Sequence, residues 1–226
     1  MDRSSKIFYQ WMEEHLLVRP QTLPLSEALL RKWKNYEMLE ELFREMGGVS
    51  ARIFVPKEIT LWTANRKALL IDTPLDYNRY RMQTYRSKWY GEKMPELDVK
   101  AFARNCRQKE KECLKLGLGP EQWTNKLAEQ YFGKAATGGD FFGNGAPAWK
   151  LRAWTALLTD VAAHGHFYNL QRVSIYQSVM MDKKLQPLGS ILLLGKEVHA
   201  EKIAKLVKRG WGESNPAPAS DDLFKI

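Results

Sequence analysis

The sequence predicts a helix-rich α+β fold with about five short strands, and three observations carry that expectation. Apolar residues recur at spacings of three and four over several long segments. The period drops to two in short runs near 51–72 and again near 171–195. With 226 residues, 44% of them hydrophobic and 27% charged, the chain has material for a sizeable core and lacks the composition of a disordered one.

Taken in order, residues 4–17 set Ile7, Phe8, Trp11, Met12, His15 and Leu16 at helical spacing. The segment from Leu23 to Gly48 reads as the clearest helix, with Ser26 as N-cap and Leu29, Leu30, Trp33, Tyr36, Leu39, Leu42, Phe43 and Met46 in phase. Gly47 and Gly48 provide its left-handed stop. "ARIFVP", "ITLW" and "KALLID" then read as a small antiparallel meander. Pro74, behind Thr73 as a cap, opens a helix over 75–90, and further helices follow over 98–115 and 120–132. Residues 133–147, with five glycines, are a loop. "AWKLRAWTALLTDVAAH" is apolar on most sides and belongs at the centre of a core. Two strands, "QRVSIYQSV" and "SILLLG", are joined by "DKKLQP", and a last helix over 196–209 ends at Gly210. The organisation expected is one compact domain over 1–210, divisible if anywhere near 133. A flexible tail over 211–226, rich in Pro, Ser and Asp, follows it.

Several function classes recede. The longest aliphatic stretch is "SILLLG", far short of a membrane span, and Glu13 and Glu14 sit where a signal peptide needs an apolar core. A soluble, cytoplasmic protein with no membrane partner is expected. Cys106 and Cys113 fall two helical turns apart, roughly 10 Å, which suits free thiols and leaves a zinc site two ligands short. No cofactor or metal is implied. The "TGGDFFGNG" loop, 137–145, lacks the Gly-Lys-Ser/Thr ending of a phosphate loop; it runs into Ala146-Pro147, and Lys150 lies inside the next helix.

Charge is the positive signal. The net +9 is uneven: residues 1–60 balance to zero, 61–115 carry +6 and the remainder +3. A surplus confined to the middle of the chain marks a basic patch suited to a polyanion. Within it, "YNRYRMQTYRSKWYGEK" (77–93) combines four tyrosines with five basic side chains. On one continuous helix, Leu75, Met82, Tyr85 and Trp89 form the buried stripe. Tyr77 and Tyr80 then point outward with Arg81 and Lys88, while Arg79 and Arg86 hold the other margin. The next helix adds Arg104, Arg107 and Lys111 at i, i+3 and i+7, with Lys100, Lys109 and Lys115 nearby.

The function expected is a non-enzymatic nucleic-acid-binding component of a larger nucleoprotein assembly, with DNA or RNA and other proteins as partners. Arg79, Arg81, Arg86, Lys88, Arg104, Arg107 and Lys111 would contact phosphates, and Tyr77 and Tyr80 would stack on bases. Lys202, Lys205, Lys208 and Arg209 form a secondary basic patch. One alternative is an adaptor subunit that binds acidic protein surfaces through the same residues. A further alternative is an enzyme using the 137–145 loop with Asp140 and the His164/His166 pair, Asp160 lying one turn before His164.

Overall fold

The computed structural model describes residues 1–181 and 183–211. In chain order the elements are α1 (Arg3–Leu16), β1 (Arg19–Pro24), α2 (Glu27–Lys32), α3 (Tyr36–Glu45), β2 (Glu58–Ala64) and β3 (Lys67–Asp72). A 3-10 turn at Pro74–Asp76 leads into α4 (Arg79–Thr84), α5 (Lys88–Lys93), α6 (Val99–Gly117), α7 (Lys126–Phe132) and α8 (Pro147–Gly165). The chain closes with β4 (Asn169–Ser174), β5 (Ser178–Met181), β6 (Lys184–Pro187), α9 (Leu188–Leu194) and α10 (Ala200–Gly210). The α+β expectation holds.

One four-stranded sheet, ordered β1-β2-β3-β4, divides the molecule into three layers. β1, β2 and β3 are antiparallel, whereas β4 runs parallel to β3, with Lys67 opposite Asn169 and Asp72 opposite Ser174. A parallel neighbour requires a crossover, and here residues 73–168 supply it. Alternation along the strands feeds both faces. Ala68 and Leu170 join the core built with α2 to α8, while Leu69, Ile71 and Val173 join the one built with α1, α9 and α10. As its composition requires, α8 is the central helix, with Trp149, Trp154, Leu157, Leu158 and Val161 all buried.

Several expected elements change. β1 (RPQTLP) carries two prolines and gives no strand signal; it survives as an edge strand, where a missing N–H need not face a ladder partner. "ARIFVP" is not a strand, although Ile53 is buried and the Phe54 carbonyl accepts from the Trp154 indole at 2.8 Å. The helix expected over 26–46 breaks at Lys34, which takes a left-handed φ of 57° with no glycine to announce it. The segment 120–132 becomes helical only at Lys126, where the Asn125 side chain caps Ala128 N. "SILLLG" is helix α9, not strand: Leu188, Ile191 and Leu192 are buried at helical spacing, and Gly195 (φ 61°) ends it. The expected connector "DKKLQP" contributes β6, antiparallel to β5. Of the expected tail, 212–226 lie outside the described residues. Trp211 does not belong to it, because it is buried among Leu69, Ile71 and Val207 and its indole N–H donates to the Ala68 carbonyl at 3.4 Å.

Candidate functional site

The 77–93 segment faces the other way from the sequence expectation. Two polar residues reset the helical phase: Asn78 caps Tyr80 N and Arg81 N to start α4, and Ser87 caps Trp89 N to start α5. Tyr77 therefore stands outside either helix, only 1% exposed, and its hydroxyl donates to Ser174 Oγ at 2.6 Å. Tyr80 is buried too, its hydroxyl accepting from Ala146 N at 3.2 Å. Neither ring has a free face for a base, which corrects the stacking role assigned to them. Tyr85 and Trp89 are in the core as expected.

Arg81 is likewise corrected: at 1% exposure it meets no phosphate. Its Nη2 donates to Asp160 Oδ2 at 2.8 Å, and its Nη1 donates to Tyr90 Oη at 2.8 Å and Thr84 Oγ1 at 3.0 Å. Asp160 also accepts from the Tyr90 hydroxyl at 2.6 Å and from Arg172 Nε at 2.7 Å, and Arg172 Nη1 continues to Asp72. Two buried arginines thus share two buried carboxylates, tying α4, α5, α8, β3 and β4 together. Burial raises the Asp72 carboxyl to about 6, outweighing the lowering by Arg172. Among the described residues Asp72 Oδ2 has no hydrogen-bond partner. Arg172 itself gains from both carboxylates and is held firmly charged. This network left one trace in the sequence: charged residues inside apolar runs, Asp160 in "LLTDVAAH" and Arg172 in "LQRVSI". Asp72 also borders a cleft of about 520 Å3 with Asp76, Arg152, Thr155 and Thr159. There Asp76 is partly buried, yet the Arg152 guanidinium and Thr73 hold its carboxyl below the usual range.

What remains exposed is the outer face of α6. Cys106, Cys113 and Phe102 face the core, where burial pushes both thiols up to about 12 and leaves them protonated. On the opposite side Lys100, Arg104, Arg107, Lys111 and Lys115 are all exposed. At 100° per residue they fall within about 80° of one another, in a row about 22 Å long. Among the described residues none of the five has an ion-pair partner. The carboxylates of this helix are committed elsewhere, Glu110 to Arg79 (2.7 Å) and Glu112 to Lys109 (3.9 Å). Arg79 is therefore exposed but neutralised, and its guanidinium also lies 3.7 Å from the centre of the Phe141 ring. Arg86 and Lys88 are exposed beside a cleft that they share with Glu41 and Glu45.

On α10, Lys202, Lys208 and Arg209 are exposed and Lys205 pairs with Glu201 at 2.6 Å. The end of α10 and the start of α6 meet at the open edge of the sheet: Gly210, Ala101, Phe102 and Asn105 line one cleft of about 390 Å3 along the edge strand β4.

The catalytic candidates do not form a site together. The 137–145 loop precedes the N-terminus of α8, while His164 and His166 stand at its C-terminus, roughly 27 Å along the helix. His164 packs edge-on to Trp89, with burial and then Lys93 lowering its pKa; His166 packs on Trp33, its Nε2 3.0 Å from the Pro24 carbonyl. Asp140 accepts from Phe142 N at 2.8 Å and shapes the loop. Asp160 is consumed by the arginine network.

The site is thus an uncompensated cationic helix face mounted on a three-layer α+β body. Residues 41–194 match the model of a family described as a family of unknown function (DUF7255), and the chain belongs to that family. The matched span contains α6 and the glycine-rich loop, whereas α1, β1 and α10 lie outside it. No curated protein and no solved structure matches the chain. No described helix is long and apolar enough to cross a membrane.

Proposed function

We propose that this protein binds nucleic acid through the phosphate backbone, as a non-enzymatic component of a nucleoprotein assembly, with the outer face of α6 as its contact surface. The observation that carries the reading is the row Lys100, Arg104, Arg107, Lys111 and Lys115, exposed and unpaired on one stripe. Cations that already hold carboxylates gain little from a phosphate, whereas these five can each displace a condensed counterion. Arg86, Lys88, Lys202, Lys208 and Arg209 are exposed as well. Tyr77, Tyr80 and Arg81 take no part. Recognition is of backbone and shape. Leu193, Leu194 and Val198, exposed within six positions at the α9–α10 junction, suit a protein neighbour in such an assembly.

Fluorescence anisotropy with labelled DNA and RNA at about 0.1 M salt tests it. Changing Arg104, Arg107 and Lys111 to alanine should weaken binding on the order of 100-fold, from three lost phosphate contacts. Arg79→Ala should leave affinity near wild type, because Glu110 already neutralises that guanidinium. A triple variant that binds as wild type refutes the reading.

A further inference from the structure

We infer that Phe142 is a base-stacking platform and that the preferred ligand is single-stranded nucleic acid; this rests on the phosphate-binding reading of α6. Phe142 is 88% exposed, the most exposed large hydrophobic side chain among the described residues. Its setting separates it from an incidental surface residue. Its neighbour Phe141 is anchored against Trp123 (5.3 Å) and Trp149 (5.6 Å) and under the Arg79 guanidinium. Asp140 fixes Phe142 N, and Asn144 Nδ2 donates to the Phe132 and Lys134 carbonyls at 2.6 and 2.7 Å. The Tyr80 hydroxyl holds Ala146 N, and at Gly145 (φ 63°) a Cβ would lie 2.1 Å from that hydroxyl oxygen. A braced loop therefore spends one aromatic ring on its own attachment and presents the next to solvent.

The loop also lies beside the cationic row. Through Arg79, Phe141 is linked to Glu110, and Gly138 and Gly139 approach the Leu118 side chain at the end of α6. Glu110 and Leu118 bracket Lys111 and Lys115 along the helix. A row of cations that ends at a rigid, exposed ring is what a single strand requires: charge for its phosphates and a flat apolar face for an unstacked base. A duplex keeps its bases paired and offers Phe142 nothing. A lipid surface would ask for cations spread over a plane, whereas these lie in a line about 22 Å long. Ordering the loop in advance also removes an entropy cost from binding.

The test compares Phe142→Ala and Phe142→Trp with wild type on a single-stranded oligonucleotide, its duplex, and anionic phosphatidylserine vesicles. At this exposure neither change disturbs the core. Expected results are a loss of about five- to hundred-fold in single-strand affinity for Phe142→Ala, from one stacked base, recovery in Phe142→Trp, and unchanged duplex affinity. A single-stranded probe carrying 2-aminopurine should be quenched by wild type and not by Phe142→Ala. If wild type binds both nucleic acids with α6-dependent affinity and Phe142→Ala matches it on both, the stacking role fails and the phosphate reading stands. If wild type binds neither, both fail. Binding to vesicles that requires Phe142, with no effect of the residue on single strands, makes the loop a membrane anchor and overturns the inference.

Discussion

Asp160→Asn is the perturbation that most sharply tests how the 77–93 segment is held. The carboxylate presents Oδ2 to Arg81 Nη2 (2.8 Å) and the Tyr90 hydroxyl (2.6 Å), and Oδ1 to Arg172 Nε (2.7 Å). Asparagine has nearly the same shape but only one acceptor oxygen, so its NH2 must face a donor whichever way it is turned. With the oxygen toward Arg81 and Tyr90, Arg172 Nε meets an N–H and keeps only Asp72 as a counter-charge. In either orientation two buried guanidiniums remain with one carboxylate between them. Removing one partner of such a group costs about 3–5 kcal/mol, mostly as buried uncompensated charge. At about 2–4 °C per kcal/mol for a chain of this size, the melting temperature should fall by roughly 6–20 °C. Far-UV circular dichroism during heating at pH 7 reads this directly. A variant melting within about 2 °C of wild type would show that Asp160 does not bind both arginines, and the inward placement of Arg81 would lose its physical basis.

Three other outcomes follow from the same contacts. Because Asp72 titrates near 6 in the fold and about 3.9 unfolded, its protonated form favours the folded state. That contribution is complete below about pH 4 and lost as pH rises through 6, so Asp72→Asn should flatten the stability profile in that window relative to wild type, read by urea titrations at several pH values. An unchanged difference between the two proteins across pH 4–7 would refute it. Tyr77→Phe should cost about 1 kcal/mol through the lost Ser174 bond, read by urea titration; a variant as stable as wild type would refute the inward hydrogen bond of Tyr77. Gly145→Ala should destabilise the glycine-rich loop, since the new Cβ would meet the Tyr80 hydroxyl, and hydrogen exchange over 133–146 should rise; unaltered exchange would mean that the loop is not braced there.

The sequence made the layers legible where a single period ran uninterrupted. α1, α6 and α8 came through with boundaries within a few residues, and so did β2 and β3. It failed where a polar residue restarts the pattern. Asn78 and Ser87 are ordinary caps on paper, but each resets the phase of a helix, and carrying one wheel across both turned Tyr77, Tyr80 and Arg81 from the core to the surface. β1 was hidden by Pro20 and Pro24, which only an edge position excuses. In "SILLLG" a short apolar run fitted strand and helix equally, and the left-handed glycine after it decided for helix. The stripe on α6 was visible because all its residues lie on one unbroken helix. Which cations were free was not, because the pairing of Arg79 with Glu110 joins residues that only the fold brings together. Phe141 and Phe142 are equivalent on paper, and only the anchoring of Phe141 against Trp123 and Trp149 distinguishes the two adjacent rings.

The most direct test of the central claim is the salt dependence of binding. Log affinity plotted against log salt from about 50 to 200 mM should give a straight line for wild type with duplex DNA. For a folded variant with Arg104, Arg107 and Lys111 changed to alanine, its slope should be shallower by about 2.7, at 0.9 per lost phosphate contact. Equal slopes for the two proteins, or no binding by wild type at 50 mM, would contradict the account and leave the α6 face without a phosphate-binding role.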